Sequence, residues 1–541
     1  MKLSDFATSP AICMWRMVAL ALALACLPCA SAKAHDDGPA AIIDTGTVTG
    51  IALSPAVDAW LGIPFAAPPV RDARWRPPQK LQRWTRTYRA DRIGPECFQP
   101  MREHAYNHYF GDEPMSEDCL YLNVWAPATR TAGADPIAKK PVIVWIYGGS
   151  FVVGSGGKAL YDGQALAAKG AVVVTVNYRL GALGFLAHPE LSAESPQHAS
   201  GNYGLLDQIA ALQWVRRNIA AFGGDPKRVT LMGQSAGAIA ISDLQVSPLA
   251  RGLFDRIVAL SGSALAPAFD TPSLADAEKT GMAFAASLGT PSLAALRRMP
   301  ADAISRAAFA GARPIVDGWV LPDRPANLYA AGRQLDVPLM LGFTRDENLT
   351  AFAAVRTLGD YRAETKRQFG ANAAKVEALY PATDDAGARR AANMLGRDIS
   401  FSPMMRTWAK MQGEHGRAPT WAYMFAQPHP YVPDIRFTDM DTAAAGIYHT
   451  AEVPYFLGNF DAFNLFRPTR QWTADDRLLA DRMMTSLVAF ATSGDPGQSA
   501  GLIWPRYDAR ERLMIFAEPP ATAIWPNRTE VDALAAMRAK M

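Results

Sequence analysis

The stretch Gly233-Gln234-Ser235-Ala236-Gly237 constrains this chain more than any other. Val229-Thr230-Leu231-Met232 before it is short and apolar with a β-branched content, the pattern of a buried strand. Ala238-Ile239-Ala240-Ile241 after it begins a helix. A strand, a glycine-flanked serine and a helix describe a very tight turn. The serine backbone is strained there, and side chains two positions away would collide with their surroundings. Such an elbow presents a serine hydroxyl at the top of a sheet as a nucleophile. An incidental turn is the competing reading of the five letters alone.

Strand and helix patterns alternate around this turn. Residues 120–125, 141–146 and 171–176 are apolar runs of strand length, as strands covered on both faces should be. Residues 205–219 have helical spacing and stop at Phe222-Gly223-Gly224-Asp225-Pro226. Further buried strands are expected at 257–260, 338–341 and 420–425. Residues 41–60 predict an antiparallel meander. The prolines of 61–70 predict an extended, rigid connection. The Ala-rich stretches 270–335 and 351–415 read as helices over the carboxyl edge of the sheet, where ligands bind. A last helix is expected over 481–491. The predicted class is α/β, with a mostly parallel sheet, an antiparallel N-terminal edge and helices on both faces.

A length of 541 residues would suggest several domains, yet no linker, repeat or charge run divides the chain. Lys2 and Arg16 precede an apolar run from Met17 to Cys26, and Ala30-Ser31-Ala32 and Ala32-Lys33-Ala34 both fit a cleavage site. The expectation is a signal peptide over 1–34 and a single domain over 35–541, with a secreted or periplasmic product. The run is short for a bilayer, so no stable membrane anchor is expected; lipidation at Cys26 is the alternative. Cys13, Cys26 and Cys29 fall in the removed segment. Cys97 and Cys119 remain, which suits one disulfide in an oxidising compartment, or two buried thiols. A net charge of +3 leaves no electrostatic footprint for nucleic acid. No Cys or His spacing suggests a metal, and no cofactor is expected.

A serine hydroxyl is a weak nucleophile until a base takes its proton. In a fold built on such an elbow the histidine follows the acid in the chain. Of eight histidines, His415, His429 and His449 come late enough. The acid should follow a strand between serine and histidine. Residues 338–341 are such a strand, with Asp346 and Glu347 both placed after it. Spacing does not choose between them. The oxyanion needs preorganised N–H donors. Ala236 supplies one, and the turn Gly148-Gly149-Ser150 after an earlier strand is placed to supply others.

These residues resemble the type-B carboxylesterases, the carboxylesterase/cholinesterase family of α/β-hydrolases. The resemblance rests on the Gly-Ile-Pro-Phe segment ending at Phe65, on Ser116-Glu117-Asp118-Cys119-Leu120-Tyr121-Leu122-Asn123, and on Asn177-Tyr178-Arg179. Gly201 to Gln208 and Phe222 to Pro226 extend it over nearly all the mature chain. It implies a triad of Ser235, Glu347 and His449, with Gly149, Ser150 and Ala236 as oxyanion donors. It further implies a Cys97–Cys119 disulfide, an Arg74–Glu117 ion pair, and supporting roles for Ser261 and Glu452. Two departures stand out. Ser150 occupies the third glycine position of the oxyanion turn. Gln234 stands where the family usually carries glutamate, which removes a negative charge beside the site.

The resemblance implies an exported serine carboxylesterase acting on a small-molecule ester. The disulfide loop has no tryptophan to hold a quaternary ammonium, so choline esters are not expected; Tyr109 or Phe110 are substitutes there. Ala310, Gly311 and Ala312, with Thr350 and Ala351 after the acid, imply a roomy acyl pocket. Phe151, Tyr109, Phe110, Ala310, Ala312 and Ala351 are therefore candidate substrate contacts. A lipase or amidase on the same triad, or a non-catalytic binding protein on the same fold, are the other readings.

Overall fold

The computed structural model describes residues 38–107, 114–128, 138–265, 271–290, 292–497 and 501–539. The expected signal peptide therefore lies outside the described residues, as do Tyr109 and Phe110. Among those described, eleven strands form one sheet. They are β1 (Ile51–Ser54), β2 (Val57–Pro64), β3 (Tyr121–Pro127), β4 (Lys140–Ile146), β5 (Val172–Val176) and β6 (Gly224–Gln234). Then come β7 (Arg256–Leu260), β8 (Leu339–Thr344), β9 (Thr420–Phe425), β10 (Arg512–Phe516) and β11 (Ala521–Ile524). Their spatial order is β11-β10-β9-β8-β7-β6-β4-β5-β3-β2-β1.

All neighbours from β5 through β10 pair in parallel. The N-terminal strands β1, β2 and β3 are antiparallel, and so is β11 at the other edge. Every residue of β5, β8 and β9 is buried, which matches their largely apolar sequence. Parallel pairing has a direct consequence for function. The chain leaves β4, β6, β7 and β8 at one common edge, within four adjacent strands.

Helices cover the sheet. Tyr203–Asn218 and Ala236–Val246 are buried along most of their length. Ala474–Ser493 opens with a capping box between Thr473 and Asp476. The helices between Leu358 and Asp398 carry a small core of their own, centred on Tyr361, Phe369, Val376 and Leu395.

Two expectations change. Residues 61–64 are not a free connection: they end β2, which pairs with β3 as far as Pro64 and Tyr121. The register shifts between Trp60 and Ile63, where the Gly62 amide turns to the Asn123 side chain at 2.8 Å. Pro64, with no N–H to offer, sits at the strand's end. The helix expected at 481–491 spans Ala474–Ser493, and it is not the last. β10, β11 and the helix Arg528–Arg538 follow it.

The turn after β5 is held by a buried ion pair. Arg179 donates to Asp207 through Nε at 2.8 Å and Nη2 at 2.7 Å, and through its backbone N–H at 3.0 Å. Both residues are buried. Arg74 and Glu117 form a bidentate pair at 2.6 Å, and Cys97 is bonded to Cys119. Replacing one partner of a buried pair leaves the other charge uncompensated, so Asp207→Asn is expected to destabilise the protein by about 3–5 kcal/mol. Urea unfolding against the wild type measures this, and a loss below about 1 kcal/mol, the scale of an exposed pair, would contradict it.

Candidate active site

The elbow has the strain that its sequence requires. Ser235 sits at φ 56°, ψ −124°, between the end of β6 and the first turn of Ala236–Val246. Its N–H donates to the Leu260 carbonyl of β7 at 2.8 Å, and its own carbonyl accepts from Ile239 at 2.9 Å. The glycines make room for neighbouring backbone: a Cβ on Gly237 would stand 2.1 Å from the Ile146 carbonyl oxygen.

The turn after β4 lies against this serine. Gly149, Ser150 and Phe151 take successive positive φ values of 109°, 56° and 60°. The amides of Val152 and Val153 close the turn on the Gly149 carbonyl, each at 3.0 Å. The Gly149 and Ser150 amides have no acceptor among the described residues. A Cβ on Gly148 would lie 2.9 Å from the Ser235 Cβ, so the turn and Ser235 are in close contact. The Ala236 amide opens a helix, where the first N–H groups have no intrahelical acceptor and the dipole favours negative charge.

Of the two carboxylates after β8, only Glu347 reaches a histidine. Its Oε2 lies 2.6 Å from His449 Nδ1, and its Oε1 accepts the Thr344 amide at 3.1 Å. The Glu347 side chain has no solvent exposure. Asp346 points the other way and pairs with Arg345 and with the Ile447 amide at 2.9 Å. It thereby ties the acid's loop to the histidine's loop. The other late histidines are elsewhere: His415 ends the helix Phe401–His415, and His429 is buried in a separate network.

The carboxylate on Nδ1 fixes the proton there and leaves a lone pair on Nε2. Gln234 Nε2 lies 3.0 Å from that atom. No hydrogen bond joins the Ser235 hydroxyl to the ring among the described residues. Phe401 packs against the imidazole, with ring centroids 4.6 Å apart. Behind the ring, Ser261 donates to Glu452 at 3.3 Å. Burial, and the charge of Glu347 next to it, push the Glu452 carboxyl up to about 8. Its Oε2 has no hydrogen-bond partner.

A network unread in the sequence supports the histidine loop. His429 contacts the Ala451 carbonyl through Nε2 at 2.8 Å and the Tyr448 hydroxyl through Nδ1 at 3.0 Å. Arg470 donates to the same Nδ1 at 3.3 Å. These residues come from three separate segments without local periodicity. The sequence marks His429 only as one of three histidines late enough to be a candidate base.

A cavity of about 260 Å³ includes His449 and Tyr448 in its wall, with Ala353, Val355, Arg356, Arg389, Asp439 and Asp441. Ala353 shares the 3₁₀ turn Ala351–Ala354 with the expected contact Ala351, which is itself exposed. Phe151 is buried against Phe185, Ala310 is exposed and Ala312 is half-buried.

The profile of the carboxylesterase family matches residues 37–532. This chain belongs to that family. It is 38% identical over 503 residues to the fumonisin B1 esterase of Sphingopyxis macrogoltabida, covering 89% of this chain and 87% of that one. It is 34% identical over 486 residues to the para-nitrobenzyl esterase of Bacillus subtilis (strain 168), covering 85% and 92%. A solved structure of PNB esterase matches with a TM-score of 0.75 at 32% identity, over 91% of this chain and 98% of that chain. The fold is therefore the α/β-hydrolase fold, and this carboxylesterase is a carboxylic-ester hydrolase.

Glu452 sets a pH dependence in this esterase. The carboxyl titrates near 4.5 when unfolded and near 8 when folded. Between those values the unfolded chain loses a proton that the folded one keeps, so stability falls as pH rises. This group contributes a slope of up to about 1.4 kcal/mol per pH unit. Melting curves from pH 4.5 to 8 should show a flatter decline for Glu452→Gln than for the wild type; identical slopes would contradict the assignment.

Proposed function

We propose that this chain is an exported serine esterase working through an acyl-enzyme, with Ser235 as nucleophile, His449 as base and Glu347 as the acid that orients it. The observation that carries the reading is the 2.6 Å contact between the buried Glu347 and His449 Nδ1, beside a serine strained at φ 56°. Ser235 attacks the ester carbonyl while His449 Nε2 takes its proton. Glu347 stabilises the imidazolium that forms. The amides of Gly149, Ser150 and Ala236 receive the oxyanion. His449 then protonates the leaving alcohol, and water, deprotonated by the same imidazole, releases the acid.

The Cys97–Cys119 bond supports export. The cavity favours polar esters over long-chain lipid esters, because Arg356, Arg389, Asp439 and Asp441 help to line it. Small side chains at Ala353 and Val355 support a roomy acyl side. The names of the relatives suggest fumonisin B1 and 4-nitrobenzyl esters as first substrates to try.

Hydrolysis of 4-nitrophenyl butyrate tests the triad. Ser235→Ala is expected to lower kcat by about 10⁴-fold or more. A variant retaining wild-type turnover would remove Ser235 from the mechanism. In a chain-length series of nitrophenyl esters beside matching nitroanilides, turnover should be highest with short acyl esters. Preference for long acyl chains would favour a lipase, and comparable anilide turnover an amidase.

A further inference from the structure

The Gln234 carboxamide touches both halves of the reacting centre. Its Nε2 lies 3.0 Å from Nε2 of His449. Its Oε1 faces Gly148, where a Cβ would approach it to 2.8 Å. The residue is only 3% exposed, so the carboxamide lies inside the site and not in solvent. Its orientation follows from the chemistry around it. Glu347 holds the Nδ1 proton, so Nε2 offers a lone pair, and only the N–H end of an amide can face a lone pair. That lone pair is also the one that must accept the serine proton.

The two donors therefore compete for one acceptor, and in this structure Gln234 holds it. An amide N–H on Nε2 favours the neutral ring. It opposes the imidazolium, whose own Nε2–H would then point at another donor. A carboxylate at the same position would do the reverse and favour the imidazolium. The glutamine that departs from the family pattern therefore bears directly on the protonation of the base.

We propose that Gln234 is a positioning residue that holds His449 as the neutral, Nδ1-protonated base and yields Nε2 to Ser235 when an ester seats against the oxyanion turn. This rests on the triad proposed above. Contact with Gly148 couples the release to the substrate. A carbonyl oxygen taking the Gly149 and Ser150 amides would bind just beyond Gly148, which Gln234 Oε1 faces, and repulsion between the two oxygens would displace the carboxamide. The Ser235 proton then passes to Nε2 as the Oγ–carbon bond forms and the carbonyl electron pair moves onto oxygen.

The test is the pH dependence of kcat/KM on 4-nitrophenyl butyrate for the wild type, Gln234→Glu and Gln234→Leu. The acid limb should move to higher pH by about one unit or more in the glutamate variant, where a charge now favours the imidazolium. In the leucine variant, which only loses the donor, it should move up by less. For a variant too slow to assay, the pH dependence of labelling by a fluorophosphonate reads the same limb. Acid limbs coincident in all three proteins would overturn the proposal, even if kcat falls, because a purely structural role lowers kcat without moving the limb. That outcome is distinct from failure of the triad, which appears as unimpaired turnover by Ser235→Ala.

Discussion

A carboxylate with no solvent exposure must be met by donors, and Glu347 is met by the Thr344 amide and the His449 ring. Leaving either lobe unmet would cost several kcal/mol. The surrounding structure serves this one contact. β8 delivers the acid at the common carboxyl edge of the parallel strands. Asp346 clamps the histidine loop to it from the other side. His429, Tyr448 and Arg470 brace that loop, and Phe401 packs at a tilt against the ring. The imidazole is thus held in one tautomer before any substrate arrives.

Two buried acids beside the site differ in their surroundings. Glu347 has hydrogen-bond donors on both oxygens. Glu452, equally buried, accepts from the Ser261 hydroxyl at 3.3 Å, leaves Oε2 without a hydrogen-bond partner and faces the charge of Glu347. Burial raises the Glu452 carboxyl first, and the charge of Glu347 raises it further. Gln234 belongs to the same balance. It is neutral where a third acid would add to the repulsion, and it presents a donor to the base.

Much of the sheet was legible because parallel strands covered on both faces read as continuous apolar runs. β4, β5, β7 and β9 fall within a residue or two of the sequence reading. The failures have local causes. β11 is short and three of its four residues are exposed, so it carries no buried apolar run. Residues 61–64 contain a bulge and a proline, both of which read as connection. At the site, the elbow and the oxyanion turn were legible because close backbone approach demands glycine at particular spacings. The choice between Asp346 and Glu347 was open on spacing and came from resemblance.

The sequence by itself determined the α/β class, the elbow, the turn facing it and, through resemblance, the family. These depend on short-range patterns: strand runs, glycine spacing and motifs of a few residues. Tertiary structure decided which way each carboxylate points, which network braces the His449 loop, and which side chain meets His449 Nε2. Those outcomes depend on contacts between residues far apart in the chain: Glu347 and Gln234 each meet His449 from more than a hundred positions away, and the His429 network joins residues 19 to 41 positions apart. Adjacent residues leaving one strand end look alike in sequence, and only the packed loops beyond the sheet decide which of them meets a partner.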